Sequence, residues 1–128
     1  MIYVISDTSG SMSCLAKPVI VKNVCNTLEA IKETDDRFSD VEWTYCDWVG
    51  SASALQQLFE TQHIERAFIL SDGYYEAAAE DFILRCNTCG KKVTVVYCGG
   101  DARINKKIGI KAQDIYFALE DMASFYER

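Results

Sequence analysis

The feature that most constrains this sequence is a regular alternation of short β-rich runs with longer segments of helical period. Helical segments separate the first four runs, residues 101–110 fit neither pattern, and one more helix follows the last run. The pattern predicts five strands, at residues 2–6, 41–48, 67–70, 93–98 and 115–118.

Strand–helix alternation of this kind is typical of a largely parallel sheet with helices on both faces, because parallel strands need long crossover connections. Right-handed crossovers then produce a three-layer, doubly wound α/β fold of the Rossmann-like kind. We expect the five strands in the order 2-1-3-4-5. The chain has 128 residues and no internal repeat or linker, so the sequence predicts a single domain over residues 1–128.

Composition excludes several classes of protein. Lysine and arginine total 13 against 19 aspartates and glutamates, a net charge of −6, with no basic stripe for nucleic-acid phosphates. No apolar run approaches the ~20 residues of a membrane span, and the N-terminus lacks the basic start and cleavage site of a secretory signal. We therefore expect a cytoplasmic protein whose six cysteines are thiols, with neither nucleic acid nor membrane as partner.

Aspartates end three neighbouring strands of the predicted sheet. Asp7 follows the first strand, Asp47 ends the second and Asp72 follows the third. In doubly wound sheets, ligands bind beyond the carboxyl ends of the strands, where the winding direction reverses. That point lies between the first and third strands here, so we predict a binding site with Asp7 and Asp72 at its centre.

The loop after the first strand adds hydroxyl groups to this edge. It reads Asp-Thr-Ser-Gly-Ser-Met over residues 7–12, so that Ser9 and Ser11 follow Asp7 at two-residue spacing, and Gly10 lets the backbone curl. Mg²⁺ takes oxygen ligands and keeps several waters, and a site with few anionic ligands leaves the ion able to accept an outside carboxylate. The loop therefore predicts a site for Mg²⁺ or Mn²⁺.

The same residues resemble a motif of a known family. Residues 7–12 after an apolar strand are similar to the DxSxS motif of von Willebrand factor type A (VWA) domains, and Asp72 resembles the second aspartate of that family. The resemblance implies a metal-ion-dependent adhesion site (MIDAS). It also implies that Ser9 and Ser11 coordinate the metal, with Asp7 and Asp72 around it.

Other residues are similar to a short bacterial or phage-like branch of VWA domains, often linked to AAA+ ATPase systems. Asp47 closing a strand and the Asp-Gly-Tyr of residues 72–74 carry this likeness. The chain lacks the family's threonine loop, and it has no room for the antiparallel edge strand. Ser51 or Ser53 can supply the missing oxygen, with Ser51 preferred, although both also fit a helix N-cap. Asp47 is a further candidate ligand or an exposed loop end.

These residues predict a metal-dependent protein-binding module rather than an enzyme, with an Asp or Glu of the partner completing the coordination. Two alternatives stay open. Residues 8–11 can cradle a phosphate, as in flavodoxin-like FMN binding, although Asp7 would repel that anion. A Mg²⁺-dependent phosphotransfer enzyme of the haloacid dehalogenase kind needs an aspartate where this chain has Ser9. The simplest alternative to any site is a loop whose polar residues only cap a helix.

Aromatic, cysteine and histidine residues complete the set of candidates. We expect Trp48, Tyr74 and Tyr75, which lie at or just after strand ends, to form a partner-binding rim. The Cys-x-x-Cys of residues 86–89 has no second pair for zinc and closes a helix, so we interpret its cysteines as plain thiols. His63 is the single histidine and is expected to be a solvated loop residue, which leaves no Ser-His-Asp arrangement.

Overall fold

The computed structural model describes residues 1–126, with side chains up to residue 122. In this part of the chain the strands are β1 (Ile2–Asp7), β2 (Trp43–Trp48), β3 (Arg66–Ser71), β4 (Lys92–Tyr97) and β5 (Gly109–Lys111). The α-helices are α1 (Lys17–Thr34), α2 (Ala52–Gln62), α3 (Ala77–Thr88) and α4 (Ile115–Tyr126). All strands are parallel in the order β2-β1-β3-β4-β5, which confirms the predicted fold class and strand order.

The sheet separates two hydrophobic cores, and its side chains alternate between them. In β1, Ile5 faces the core under α2 and α3, whereas Val4 faces the core under α1 and α4. One fully buried side chain from each helix illustrates this packing, namely Leu55, Ile83, Leu28 and Met122. The result is a Rossmann-like three-layer arrangement. Within the described residues, none of the helices has the length and hydropathy that crossing a bilayer requires.

The last strand lies elsewhere than predicted. Residues 115–118 begin α4, and the fifth strand is the short β5, which pairs with β4 from Val95↔Gly109 to Tyr97↔Lys111. The prediction was wrong because buried side chains in this segment recur at helical and not alternating spacing. The buried ones are Ile115, Ala118, Leu119 and Met122, while Tyr116 and Phe117 between them are exposed.

The fold brings the carboxyl ends of β1 and β3 together. The register pairs Ser6 of β1 with Leu70 of β3, so that the next residues, Asp7 and Ser71, are neighbours at the edge of the sheet. Asp72 follows directly. The winding direction reverses at this edge, where doubly wound folds bind ligands.

Candidate metal centre

Asp7 is a buried carboxylate at the end of β1. Its side chain is 3% exposed, Oδ1 accepts the backbone N–H of Ser9 at 2.9 Å and Oδ2 accepts the Ser71 hydroxyl at 2.7 Å. In the described part of the chain, no lysine, arginine or histidine forms an ion pair with it. Burying a charge is costly unless it is paired, so Asp7 leaves a negative charge available to a cation.

The hydroxyl oxygens of Ser9 and Ser11, in the loop that follows Asp7, are also buried. Neither has a hydrogen-bond partner of regular geometry among the described residues. The loop is held by bonds from the Thr8 N–H and hydroxyl to the Trp48 carbonyl, at 2.7 and 3.1 Å, and by the buried Met12. Since an unsatisfied buried hydroxyl costs about 1–3 kcal/mol, these two oxygens in an anchored loop are candidates for binding a cation.

Asp72 is fully buried and is paired with Lys17, a residue that sequence reasoning missed. Lys17 Nζ lies 2.9 Å from Asp72 Oδ2, while Asp72 Oδ1 accepts the N–H of Tyr74 at 3.1 Å. The same ammonium group reaches Asp101 Oδ2 and the carbonyl oxygen of Ser11, each at 3.2 Å. The sequence signal was a lysine at a helix start, where a positive charge opposes the helix dipole and needs a nearby anion.

The ion pair moves the pKa values of both partners. The hydrogen bond to Asp72 raises the pKa of Lys17 above its ordinary value, against the opposing effect of burial. Burial acts to raise the pKa of Asp72, but Lys17, the nearby Ser11 hydroxyl and the Tyr74 N–H outweigh it and lower that pKa. The Ser11 hydroxyl lies close enough to Asp72 to lower its pKa, although it makes no hydrogen bond of regular geometry among the described residues. Both groups are therefore charged at neutral pH.

The lowered pKa of Asp72 predicts an acid-dependent loss of stability. Because the folded state binds this proton less readily than the unfolded chain, the stabilisation is present above the ordinary value of 3.8 and is lost as pH falls through the lower folded-state pKa. Thermal unfolding between pH 2 and 6 should show a steeper acid decline for the unmodified protein than for Asp72→Asn. Parallel curves for the two proteins would show that Asp72 has no such linkage.

The charges at this edge do not balance. Asp7, Asp72 and Asp101 supply three carboxylates and Lys17 one ammonium group, a formal charge of −2. Within residues 1–122, no three histidine, cysteine, aspartate or glutamate side chains form a group that could hold a metal. A cation here would instead be held by Asp7, Asp72 and the hydroxyls of Ser9 and Ser11. Such hard oxygen donors suit Mg²⁺, and a divalent ion would neutralise the formal charge.

Comparisons with protein-family models, curated proteins and solved structures were made for the whole chain. None of them found a match. The resemblance to VWA domains therefore stays a prediction from the sequence motif, and the contacts described above carry the functional argument.

The loop after β2 lies against Ser9 and Asp7, but its Ser51 hydroxyl caps a helix. Gly50 has a φ of +91°, and a Cβ there would lie 3.3 Å from Ser9 Cβ and 3.5 Å from Asp7 Oδ1. The Ser51 hydroxyl accepts the N–H of Ala54 at 3.3 Å, which caps α2. We therefore leave Ser51 out of the ligand set.

Two other candidate oxygens lie outside the cluster. Asp47 is exposed and pairs in register with Ser6, whereas Trp48 is the residue opposite Asp7. Ser53 is exposed in the first turn of α2. The structure thus brings Asp7, Ser9, Ser11 and Asp72 together, and it leaves Asp47 and Ser53 outside this group.

The three predicted rim aromatics are not equally accessible. Trp48 and Tyr75 are 3% and 8% exposed, and their ring centroids lie 5.6 Å apart in the core under α2 and α3. Their burial corrects the prediction of a three-residue rim. Two adjacent large rings contribute more to stability when they pack in the core than when they are exposed to solvent. Tyr74 is 51% exposed, and its hydroxyl donates to the Asp101 carbonyl at 2.8 Å.

The cysteines and the histidine show no sign of a second site. All six cysteines are free thiols. Cys86 is buried and Cys89 caps the end of α3, as expected, and burial raises the pKa of Cys86, the opposite of what a reactive thiolate needs. His63 is exposed at the end of α2 in a left-handed conformation.

Proposed function

We propose that this protein is a divalent-cation-dependent protein-binding module of the VWA kind. Asp7, Ser9, Ser11 and Asp72 would hold Mg²⁺ or Mn²⁺, and an aspartate or glutamate of the partner would complete the coordination. The observation that carries this proposal is a pair of buried serine hydroxyls in the loop after Asp7. Among the described residues neither makes a hydrogen bond of regular geometry, and Asp7 itself is a buried carboxylate with no ion pair.

The surrounding residues orient the proposed ligands. Asp7 is fixed by the Ser9 N–H and the Ser71 hydroxyl, and Asp72 by the Tyr74 N–H. Outer contacts of this kind set the direction of metal-binding oxygens. When bound, the cation would act as an electrophile for a carboxylate from outside, because two of its protein ligands are neutral hydroxyls. The chain itself supplies orientation and charge.

The same contacts favour a binding module over the two alternatives. A phosphate, whether of FMN or of a phosphotransfer substrate, would be placed beside Asp7 and Asp72, and like charges repel. Residues Gly10–Ser13 form only a single turn of 3₁₀ helix, and the α-helix α1 begins at Lys17. Residues 8–11 therefore do not provide the N-terminus of an α-helix for an anion. His63, the only histidine, caps the end of α2 and is not at this edge. A protein partner, as in an AAA+ ATPase-linked system, and a cytoplasmic location remain parts of this proposal.

Isothermal titration with Mg²⁺ tests the cation. EDTA-treated and dialysed protein should bind one ion per chain, and Asp7→Asn should lose this binding because the carboxylate without a counter-charge is removed. Asp47→Asn is the matched control, since Asp47 is an exposed carboxylate outside the cluster. Equal binding by Asp7→Asn and the unmodified protein would contradict the proposal.

A small carboxylate tests the open coordination position. Mn²⁺-loaded protein should give a lower water-proton relaxation rate on addition of N-acetylaspartate amide, because the carboxylate displaces water from the ion. N-acetylasparagine amide is the matched control and should have no effect. If the two compounds behave alike, the ion does not accept a partner carboxylate.

A further inference from the structure

The ammonium group of Lys17 is completely coordinated by the protein. An ammonium group has three N–H donors, and here they meet Asp72 Oδ2 at 2.9 Å, Asp101 Oδ2 at 3.2 Å and the Ser11 carbonyl at 3.2 Å. The residue is 1% exposed. Lysine is almost never buried unless it is paired, so this position is built for a positive charge.

Two local features hold the lysine in this position. It is the first residue of α1, ahead of Pro18, where the helix dipole disfavours a cation unless anions lie close by. A Cβ at Gly99, whose φ is +106°, would lie 2.9 Å from Lys17 Cε and 3.2 Å from Lys17 Cγ. The absence of a side chain at Gly99 therefore leaves room for the lysine stem.

Lys17 shares its partners with the proposed cation. Asp72 Oδ2 binds the ammonium group, and Asp72 is also one of the proposed metal ligands. Ser11 gives its carbonyl oxygen to Lys17 while its hydroxyl has no hydrogen-bond partner of regular geometry among the described residues. Two positive charges would thus lie on neighbouring oxygens of the same two residues, and like charges at such short range repel.

We propose that Lys17 is a resident cation of this site, which holds the acidic loops together without metal and lowers the affinity for a divalent ion. This inference rests on the proposed function. Linkage makes the effect reciprocal, so that the metal weakens the hold on Lys17 by the same factor. A weaker hold on Lys17 would also affect the exposed Tyr74. Lys17 Nζ lies 5.9 Å from the centroid of the Tyr74 ring, and the Tyr74 hydroxyl donates to the Asp101 carbonyl.

The test compares Lys17→Met with Lys22→Met, a matched loss of charge at an exposed lysine of the same helix. Isothermal titration with Mg²⁺ should give an affinity at least about tenfold higher for Lys17→Met than for the unmodified protein, within the usual range of coupling between sites. In EDTA, Lys17→Met should have a lower thermal midpoint, and saturating Mg²⁺ should restore it. Lys22→Met should match the unmodified protein in both measurements.

Lys17→Gln is a second variant, for the case that Lys17→Met does not fold in EDTA. Lys17→Gln keeps hydrogen-bond donors without the charge, and it should also bind Mg²⁺ more tightly than the unmodified protein. Equal affinity in the Lys17 variants and the unmodified protein overturns the inference while the proposed function stands. If none of the proteins binds Mg²⁺, or if both Lys17 variants stay unfolded with saturating Mg²⁺, the inference is overturned as well. The absence of Mg²⁺ binding in all of the proteins would also contradict the proposed function.

Discussion

Replacing Asp72 with asparagine is expected to lower the thermal unfolding midpoint in EDTA by on the order of 10 °C. The substitution keeps the shape of the side chain but removes the charge closest to the buried ammonium group of Lys17, 2.9 Å away. Removing one partner of a buried ion pair is strongly destabilising, because the other charge is left without compensation. Scanning calorimetry in EDTA measures the change without any contribution from bound metal.

Asp101→Asn is the matched control for this substitution. Asp101 also contacts Lys17, at 3.1 Å, but its side chain is 49% exposed, and exposed ion pairs contribute little. We expect a small change in the midpoint, since Lys17 keeps Asp72. Equal losses in Asp72→Asn and Asp101→Asn, or no loss in the first, would contradict the assignment of Asp72 as the main partner.

The double substitution of Ser9 and Ser11 by alanine is expected to lower Mg²⁺ affinity by about 100-fold or more. Even the loss of an outer contact at a metal site commonly costs 10–100-fold, and this variant removes two proposed direct ligands. The thermal midpoint in EDTA should change little, because neither hydroxyl makes a hydrogen bond of regular geometry and Asp72 keeps its ion pair with Lys17 when the Ser11 hydroxyl is removed. Isothermal titration and calorimetry on the same preparation give both values.

Ser13→Ala is the matched control within the same loop. The Ser13 hydroxyl is exposed and donates to the Gly10 carbonyl at 2.7 Å, so its removal should leave Mg²⁺ affinity unchanged. A double variant of Ser9 and Ser11 that loses stability and keeps its Mg²⁺ affinity would identify the two hydroxyls as structural.

The parts of the fold and site that depend on local pattern could be predicted from the sequence. The alternation of strands and helices determined the order β2-β1-β3-β4-β5, because parallel strands and right-handed crossovers leave few topologies. Asp7 and Asp72 were placed correctly at the edge of the sheet, because each directly follows or ends a strand at the switch point. Ser9 and Ser11 could be named as candidate ligands because they follow Asp7 at two-residue spacing.

The parts that depend on long-range contacts could not be predicted. Lys17 is separated from Asp72 by 55 positions, and only the fold brings the two charges together. Trp48 and Tyr75 resembled rim aromatics because they lie at strand ends, but their burial is decided by packing against each other. The short β5 pairs through only three residues, so it is too short to show the alternation of apolar and polar residues that predicts a strand.

Crystals grown with Mn²⁺ test the central claim most directly, through the anomalous signal of the ion. We predict a peak within bonding distance of the Ser9 and Ser11 hydroxyls, beside the carboxylates of Asp7 and Asp72. Saturating Mn²⁺ with no peak at this position, or with peaks only at exposed carboxylates such as Asp47, would contradict a metal-dependent site.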